Sequence, residues 1–155
     1  MNTTSTDSIR NEILIKAPRS KVWKAVSDPA EFGAWFKVDM TGVKFEPGSE
    51  VHATMTYPGH EGSPFEAVVD RVEAPRLFSF RWWPYQLAPE QDRKNEPATL
   101  VEFVLEEVDG GTMLTVIESG FDSIPASYRA ASFRNNSEGW TQQMLNIEAY
   151  VTAAG

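Results

Sequence analysis

Apolar side chains recur at every second position in several short stretches of this chain, and that period is typical of half-buried β-strands. In the first stretch, residues 9–16, Ile9, Ile13 and Ile15 alternate with mostly polar residues. Comparable stretches, separated by turns rich in glycine, proline or aspartate, follow at residues 51–57, 65–72, 77–83, 99–108 and 112–119. Asp109-Gly110-Gly111 between the last two is a strong hairpin signal. The pattern predicts six or seven antiparallel strands.

Helical segments are predicted at two places. After the first strand, Ser20 can cap a short helix with an apolar face at residues 22–26, and a second helical turn is expected at residues 30–35. Near the C-terminus, the strand period stops and apolar residues recur at spacings of four, three and four, as on an amphipathic helix that begins near Trp140. We therefore expect an α+β architecture, with a curved antiparallel sheet wrapped on the C-terminal helix.

Length and composition narrow the class of protein. The 155 residues suit one domain, 1–155, in which residues 1–8 are expected to form a disordered tail. The net charge of -8 argues against nucleic acid and anionic membranes as partners, because both attract clustered lysine and arginine. The chain has no cysteine and no signal-peptide pattern, which favours the cytoplasm.

Five tryptophans, nine phenylalanines and four tyrosines are enough large rings to line a cavity. Strand alternation places many of them on the face that points at the C-terminal helix. The functional interpretation is a pocket for an apolar or aromatic ligand, whereas ordinary core packing explains any single ring equally well. The candidate ligand-binding residues are Trp35, Phe36, Met55, Tyr57, Phe80, Trp82, Phe103, Glu118, Trp140 and Met144.

Glu118 is the one charged residue in this set. It is in phase with Leu114 and Val116, so its carboxylate is expected to point at the cavity, where it would bind a polar ligand tip or move a proton. A solvated or arginine-paired acid is the alternative, because Glu118 lies near the end of a strand. With Tyr57 it forms the nearest pair of proton-transferring groups that the pattern suggests.

Other chemistry has little support in the sequence. His52 and His60 have no metal-ligand spacing, so no metal is expected. No serine lies in a nucleophile elbow, and no glycine-rich phosphate loop occurs, so neither a catalytic triad nor a nucleotide cofactor is predicted. Residues 84–97 form a proline-rich stretch that is interpreted either as a lid or as a flexible insert.

An ordered series of short motifs extends over roughly residues 9–153. It includes Ala17-Pro18, Val22-Trp23, Asp28-Pro29, Trp35-Phe36, Glu46-Pro47-Gly48, Gly110-Gly111-Thr112-Met113-Leu114, Glu118-Ser119-Gly120-Phe121 and Gly139-Trp140. In this order the motifs resemble the START-like (SRPBCC) superfamily, in the branch named after the activator of the heat-shock protein 90 ATPase.

The resemblance implies a helix-grip fold with a cavity between sheet and helix. It also implies binding of apolar small molecules and, in some members, chaperone regulation or ring chemistry, without a shared catalytic residue. Trp83 stands where relatives often have a histidine, which lowers the expectation of acid-base chemistry. The first hypothesis is thus a non-enzymatic ligand-binding protein. The alternatives are a chaperone co-regulator or interaction module, and a cyclase or hydrolase using Glu118. The sequence is also compatible with a homodimer.

Overall fold

The computed structural model describes residues 7–85, 91–92 and 95–153. A short 3₁₀ helix, Phe121–Ser123, precedes the last element. In chain order the elements are β1 Ser8–Ile15, α1 Arg19–Ser27, α2 Pro29–Phe36, β2 Val38–Asp39, β3 Glu50–Met55, β4 Pro64–Glu73, β5 Leu77–Trp82, β6 Thr99–Val108, β7 Gly111–Ser119 and α3 Ala126–Thr152.

The strands form one seven-stranded sheet in the order β1-β7-β6-β5-β4-β3-β2, and every neighbouring pair is antiparallel. The α3 helix packs against β1 and α2. The predicted α+β helix-grip architecture, with two short helices after the first strand, is confirmed. The two-residue strand β2 was not predicted individually, because an alternation of side chains cannot be recognised over two positions.

The hairpin between β6 and β7 has the predicted turn. Val108 pairs with Gly111, which leaves Asp109 and Gly110 as a two-residue connection. Gly110 has φ 89°, a value that a glycine adopts without steric cost. A Cβ atom on Gly111 would lie 2.1 Å from the carbonyl oxygen of Ile15, so this glycine lets the end of β1 approach the turn.

The helix starts differ from the sequence-based expectations. Pro18 is the N-cap of α1 and makes no side-chain cap, whereas the predicted cap Ser20 already lies inside the first turn. Asp28 caps α2 instead, since its Oδ2 accepts from the Glu31 amide at 3.0 Å. The Trp35 indole donates to the Ala25 carbonyl at 2.8 Å, and this hydrogen bond connects α2 to α1.

The C-terminal helix is much longer than predicted. It begins at Ala126 instead of near Trp140 and extends over 27 residues. Its first half has no apolar stripe, because the side chains that face the sheet there include Ser132 and Asn136. Ser132 Oγ donates to the Pro84 carbonyl at 2.7 Å, and Asn136 donates to Glu118. Polar contacts in place of apolar ones hide this half of the helix from a periodicity argument.

The expected tail and the proline-rich stretch fall partly outside the described residues. The described residues do not include residues 1–6 of the tail, or residues 86–90 and 93–94 of the stretch 84–97. Asp7 and Ser8 belong to the folded part, since Ser8 begins β1 and the Asp7 carboxylate accepts from the amides of Gly120 and Asp122. Within the described part of the chain, no helix combines the length and apolar character needed to cross a membrane.

The core is rich in aromatic rings, and Phe32 on α2 lies at its centre. Its ring centroid is 4.8 Å from that of Trp35 and 5.0 Å from that of Phe36. It also approaches the rings of Phe45, Phe65, Phe80 and Phe103 within 6.3 Å. Phe32 is 1% exposed. The rings thus fill the space between the sheet and α2.

Candidate ligand-binding site

A pocket of about 860 Å³ opens between α3 and the ends of β3, β4 and β5. Its wall combines aromatic rings with amide, hydroxyl, imidazole and carboxylate groups, and a mixture of apolar walls and a few polar groups is usual for a small-molecule site. The lining residues are Phe36, Met55, Tyr57, His60, Ser63, Pro64, Phe65, Glu66, Trp82, Trp83, Pro84, Tyr85, Asn135, Asn136, Glu138, Gly139, Trp140 and Gln143.

Four neighbouring rings form the floor of this pocket. The indoles of Trp82 and Trp140 have centroids 5.8 Å apart, and Phe36 lies 6.3 Å from Trp82 and 6.1 Å from Trp140. Phe65 completes the group at 5.6 Å from Trp82. Each ring comes from a different element, namely α2, β4, β5 and α3. We refer to Phe36, Phe65, Trp82 and Trp140 as the ring floor.

The ten sequence-predicted site residues divide into two groups. Phe36, Met55, Tyr57, Trp82 and Trp140 line the pocket. The other five lie in the interior behind it, and each is at most 4% exposed: Trp35, Phe80, Phe103, Glu118 and Met144. Strand alternation correctly places such side chains inside. It does not distinguish a residue in the pocket wall from one in the layer below, and a ligand role for all ten stays a prediction.

Glu118 is completely buried, and its carboxylate accepts hydrogen bonds from four side chains. The Trp82 indole donates at 2.7 Å, the Thr99 hydroxyl at 2.5 Å and the Trp140 indole at 2.8 Å. The Asn136 amide donates to both oxygens, at 2.9 and 3.1 Å. An ionised carboxylate only accepts hydrogen bonds, and the three N–H donors match that form. These charge-assisted bonds offset the loss of hydration.

The register of three adjacent strands brings this cluster together. Trp82 on β5 pairs with Thr99 on β6, and Glu118 on β7 pairs with Val101, two residues further along β6. The side chains of Trp82, Thr99 and Glu118 therefore share the inner face at one end of the sheet. Asn136 and Trp140 are one helical turn apart on α3 and cover that end.

The surroundings of Glu118 differ from both alternatives considered for it. The inward orientation is as predicted, but the carboxylate is behind the pocket and is not part of its lining. It is neither solvated nor paired with an arginine, and its hydrogen-bond partners in the described part of the chain are all uncharged. Tyr57 is not among them. A buried carboxylate held by neutral donors orients those donors, here the two indoles of the ring floor.

Several pocket residues were missed by sequence reasoning, most of them polar or in turns. Gln143 donates to the Phe36 carbonyl at 3.1 Å and joins α3 to α2. Asn136, Gly139, Trp140 and Gln143 follow the spacing three, one and three along α3, so they share one face of the helix. That spacing relative to Trp140 is the signal that could have identified them.

Trp83 and Tyr85 form the pocket wall beside the proline-rich stretch. The Trp83 indole donates to the Glu96 carbonyl at 3.0 Å, and the Tyr85 hydroxyl donates to the Pro97 carbonyl at 2.7 Å. Burial, and then the charge of Glu96, raises the pKa of Tyr85 above its ordinary value. Its hydroxyl therefore remains protonated at neutral pH and serves as a hydrogen-bond donor.

Gly139 lies within α3, where it lines the pocket. A Cβ atom built on it would meet no atom within 4 Å, so close packing does not require a glycine here. We expect Gly139→Ala to raise the free energy of unfolding by about 0.5–1 kcal/mol, because alanine loses less backbone entropy in a helix. Urea unfolding followed by circular dichroism measures the free energy of unfolding. A decrease in this free energy would show that the pocket wall has no room for a methyl group.

The two histidines are outside any metal cluster. His52 is exposed on β3, where Nδ1 pairs with Glu66 and Nε2 lies 3.4 Å from Glu50. His60 lines the pocket and has its ring centroid 6.1 Å from that of Tyr57. Across the described residues, no group of three or more histidine, aspartate or glutamate side chains could hold a metal ion.

A sheet wrapped on a long C-terminal helix, with a pocket between them, defines a protein of the START-like (SRPBCC) class. Residues 16–152 match the family model of the Activator of Hsp90 ATPase homolog 1-like proteins, and the chain belongs to that family. No curated protein matches the sequence.

Solved structures of proteins from several bacteria have the same fold. Protein MLL2253 of Mesorhizobium loti is 23% identical with a TM-score of 0.74, and the match covers 96% of this chain and 98% of that one. Protein BH1534 of Bacillus halodurans is 26% identical with a TM-score of 0.67, covering 93% and 96%. Protein Ms6760 of Mycobacterium smegmatis is 21% identical with a TM-score of 0.74, covering 97% and 93%.

Proposed function

We propose that this protein binds a small apolar or aromatic molecule in the pocket above the ring floor and does not transform it. The observation that carries the proposal is a pocket of about 860 Å³ whose floor consists of four large rings. Small-molecule sites have volumes of roughly 300–1,000 Å³, so the pocket has a suitable size. Asn135, Asn136 and Gln143 supply polar groups that would orient a ligand.

Binding would be driven mainly by burial of apolar ligand surface, at about 25 cal/mol per Å². The ring floor is well suited to this, because its rings are held by their neighbours before a ligand arrives. The Trp82 and Trp140 indoles are oriented by Glu118, and Phe36 is packed against Phe32 at 5.0 Å. Less side-chain freedom is then lost on binding than in a pocket with mobile walls.

The enzymatic alternative has less support than simple binding. Its proposed acid or base, Glu118, is completely buried and is covered by Trp82, Asn136 and Trp140, so a ligand in the pocket meets these side chains first. A general base must come within hydrogen-bond distance of the proton that it removes. For a chaperone partner, the family description is the only argument. We place the protein in the cytoplasm on the absence of cysteine.

The proposal is tested by titration with 1-naphthylmethanol, a neutral two-ring probe. We expect saturable quenching or enhancement of tryptophan fluorescence, because two tryptophans belong to the ring floor. A ligand present at 100 times its Kd raises the free energy of unfolding by about 2.7 kcal/mol, which a thermal melt detects. Failure of this probe, of decanol and of naphthalene to shift the melting temperature would reject the proposal.

Blocking the pocket provides the matched test. Gly139→Leu extends a side chain into space that is empty in the structure, and we expect the affinity for 1-naphthylmethanol to fall about tenfold, or about 1.4 kcal/mol. Leucine is also the better helix former, so unfolding would not explain the loss. Isothermal titration calorimetry measures the affinity.

The control for this test is Ala149→Leu. It adds a similar side chain to an exposed position on α3, about 15 Å further along the helix. We expect it to leave the affinity within twofold of the unmodified protein. Equal affinities for Gly139→Leu and Ala149→Leu would locate the ligand somewhere other than this pocket.

A further inference from the structure

Glu118 places a negative charge next to the pocket, and none of its hydrogen-bond partners among the described residues is a cation. Glu118 lies directly behind the ring floor, and the four side chains that donate to it are neutral. Among the pocket-lining residues that the structure describes, none is lysine or arginine. Their carboxylates are Glu138 at the exposed rim and Glu66, which is paired with His52, and His60 is their one imidazole. Hydrogen bonds from neutral donors stabilise the carboxylate without cancelling its charge, so its field extends into the pocket.

The two indoles transmit the effect of the Glu118 charge to the pocket surface. Both Trp82 and Trp140 use their N–H group to donate to Glu118, so what each side chain offers to a ligand is ring carbon. An indole that donates to an anion holds more electron density in its ring. The negative face of an aromatic ring attracts cations, and tryptophan has the strongest effect of this kind. Glu118 therefore makes the ring floor more attractive to a positive charge.

We propose that the pocket selects ligands with one positive charge, such as an ammonium group on an aromatic or apolar body, over neutral and anionic molecules of the same shape. This proposal rests on the proposed binding function and specifies its ligand class. The rings would contact the apolar body and the charged group together, while Tyr57 and Asn136 line the same pocket with hydrogen-bonding groups. The net charge of -8 would also attract cations to the protein from a distance.

The test compares three probes that share one ring system. At pH 7, 1-naphthylmethylamine is a cation, 1-naphthylmethanol is neutral and 1-naphthoate is an anion. We expect calorimetry in 0.15 M salt to give at least tenfold tighter binding for the amine than for the alcohol, and still weaker binding for the carboxylate. Binding of the alcohol without preference for the amine would overturn this proposal and leave the binding function standing. No binding of any of the three probes, together with no effect of decanol or naphthalene on the melting temperature, would overturn both.

Two variants separate the buried charge from the rim charge. Glu118→Gln removes the buried charge, and we expect the ratio of amine to alcohol affinity to fall at least threefold. Glu138→Gln changes only an exposed rim residue, so its effect on the ratio should be smaller and should disappear at 0.5 M salt. A ratio unchanged in folded Glu118→Gln would overturn the role of the buried carboxylate. If that variant does not fold, the proposed selectivity for cations is judged from the order of the three probe affinities measured on the unmodified protein.

Discussion

Glu118→Ala is expected to lower the free energy of unfolding by about 4 kcal/mol, because each buried donor left without a partner costs about 1–3 kcal/mol. The substitution removes the acceptor of the Trp82, Thr99, Asn136 and Trp140 side chains at once. It also leaves a cavity where a completely buried side chain was. Since small domains have a total stability of about 5–15 kcal/mol, a loss of this size removes a large part of the stability of the protein.

The measurement is chemical unfolding followed by circular dichroism and by tryptophan fluorescence. Glu106→Ala is the matched control, because Glu106 is an exposed glutamate on the neighbouring strand β6, and its change should stay within about 0.5 kcal/mol. A loss below 1 kcal/mol for Glu118→Ala would contradict the structural role of the carboxylate.

A double-mutant cycle then isolates one bond of the cluster. Trp140→Phe removes the indole donor while keeping an aromatic ring, and Glu118→Gln removes the charge while keeping most of the shape. Because the two side chains are in contact at 2.8 Å, we expect a coupling energy of about 1–2 kcal/mol. Additive effects would mean that this bond contributes little to stability.

Phe32→Ala is expected to lower the free energy of unfolding by about 4 kcal/mol, as is typical for truncation of a buried phenylalanine. Phe32 contacts six other rings, two of which, Phe36 and Phe65, belong to the ring floor. Removing its ring takes one aromatic contact away from each of these two neighbours. We therefore expect weaker ligand binding in addition to the loss of stability.

Urea unfolding and titration with 1-naphthylmethanol measure the two effects of Phe32→Ala. Phe32→Leu keeps most of the apolar volume and should cost less than half as much as the alanine variant. Leu145→Ala serves as the surface control, since Leu145 is 51% exposed and its truncation should change stability by about 0.5 kcal/mol or less. A loss for Phe32→Ala no greater than that for Leu145→Ala would contradict the central position of this ring.

The strands were predictable because their signal is local. Along β6, Val101, Phe103 and Leu105 alternate with polar or partly exposed positions, and all three are at most 1% exposed in the structure. The same period placed Glu118 inside, in phase with Leu114 and Val116. Where the local signal is absent, the prediction failed, as for the two-residue β2 and for the polar first half of α3.

The site was less predictable than the fold, and the reason is spatial. Whether a buried ring borders a pocket or lies one layer deeper depends on how the elements pack. Trp82 lines the pocket and Phe80 lies behind it, although both point to the same side of β5. The polar pocket residues Asn136 and Gln143 resemble ordinary surface residues in the sequence. Their function becomes visible only once α3 lies against the sheet and α2.

By itself, the sequence determined the sheet, its inner face, the hairpin at Asp109-Gly110 and the inward direction of Glu118, because these follow from the period of side chains along one strand. Only the tertiary structure decided what surrounds Glu118. Its four donors come from three elements, and Asn136 is 18 residues away along the chain. The carboxylate that the strand period directs inward thus becomes a buried anion that orients two indoles, because packing of α3 on the sheet replaces water with those donors.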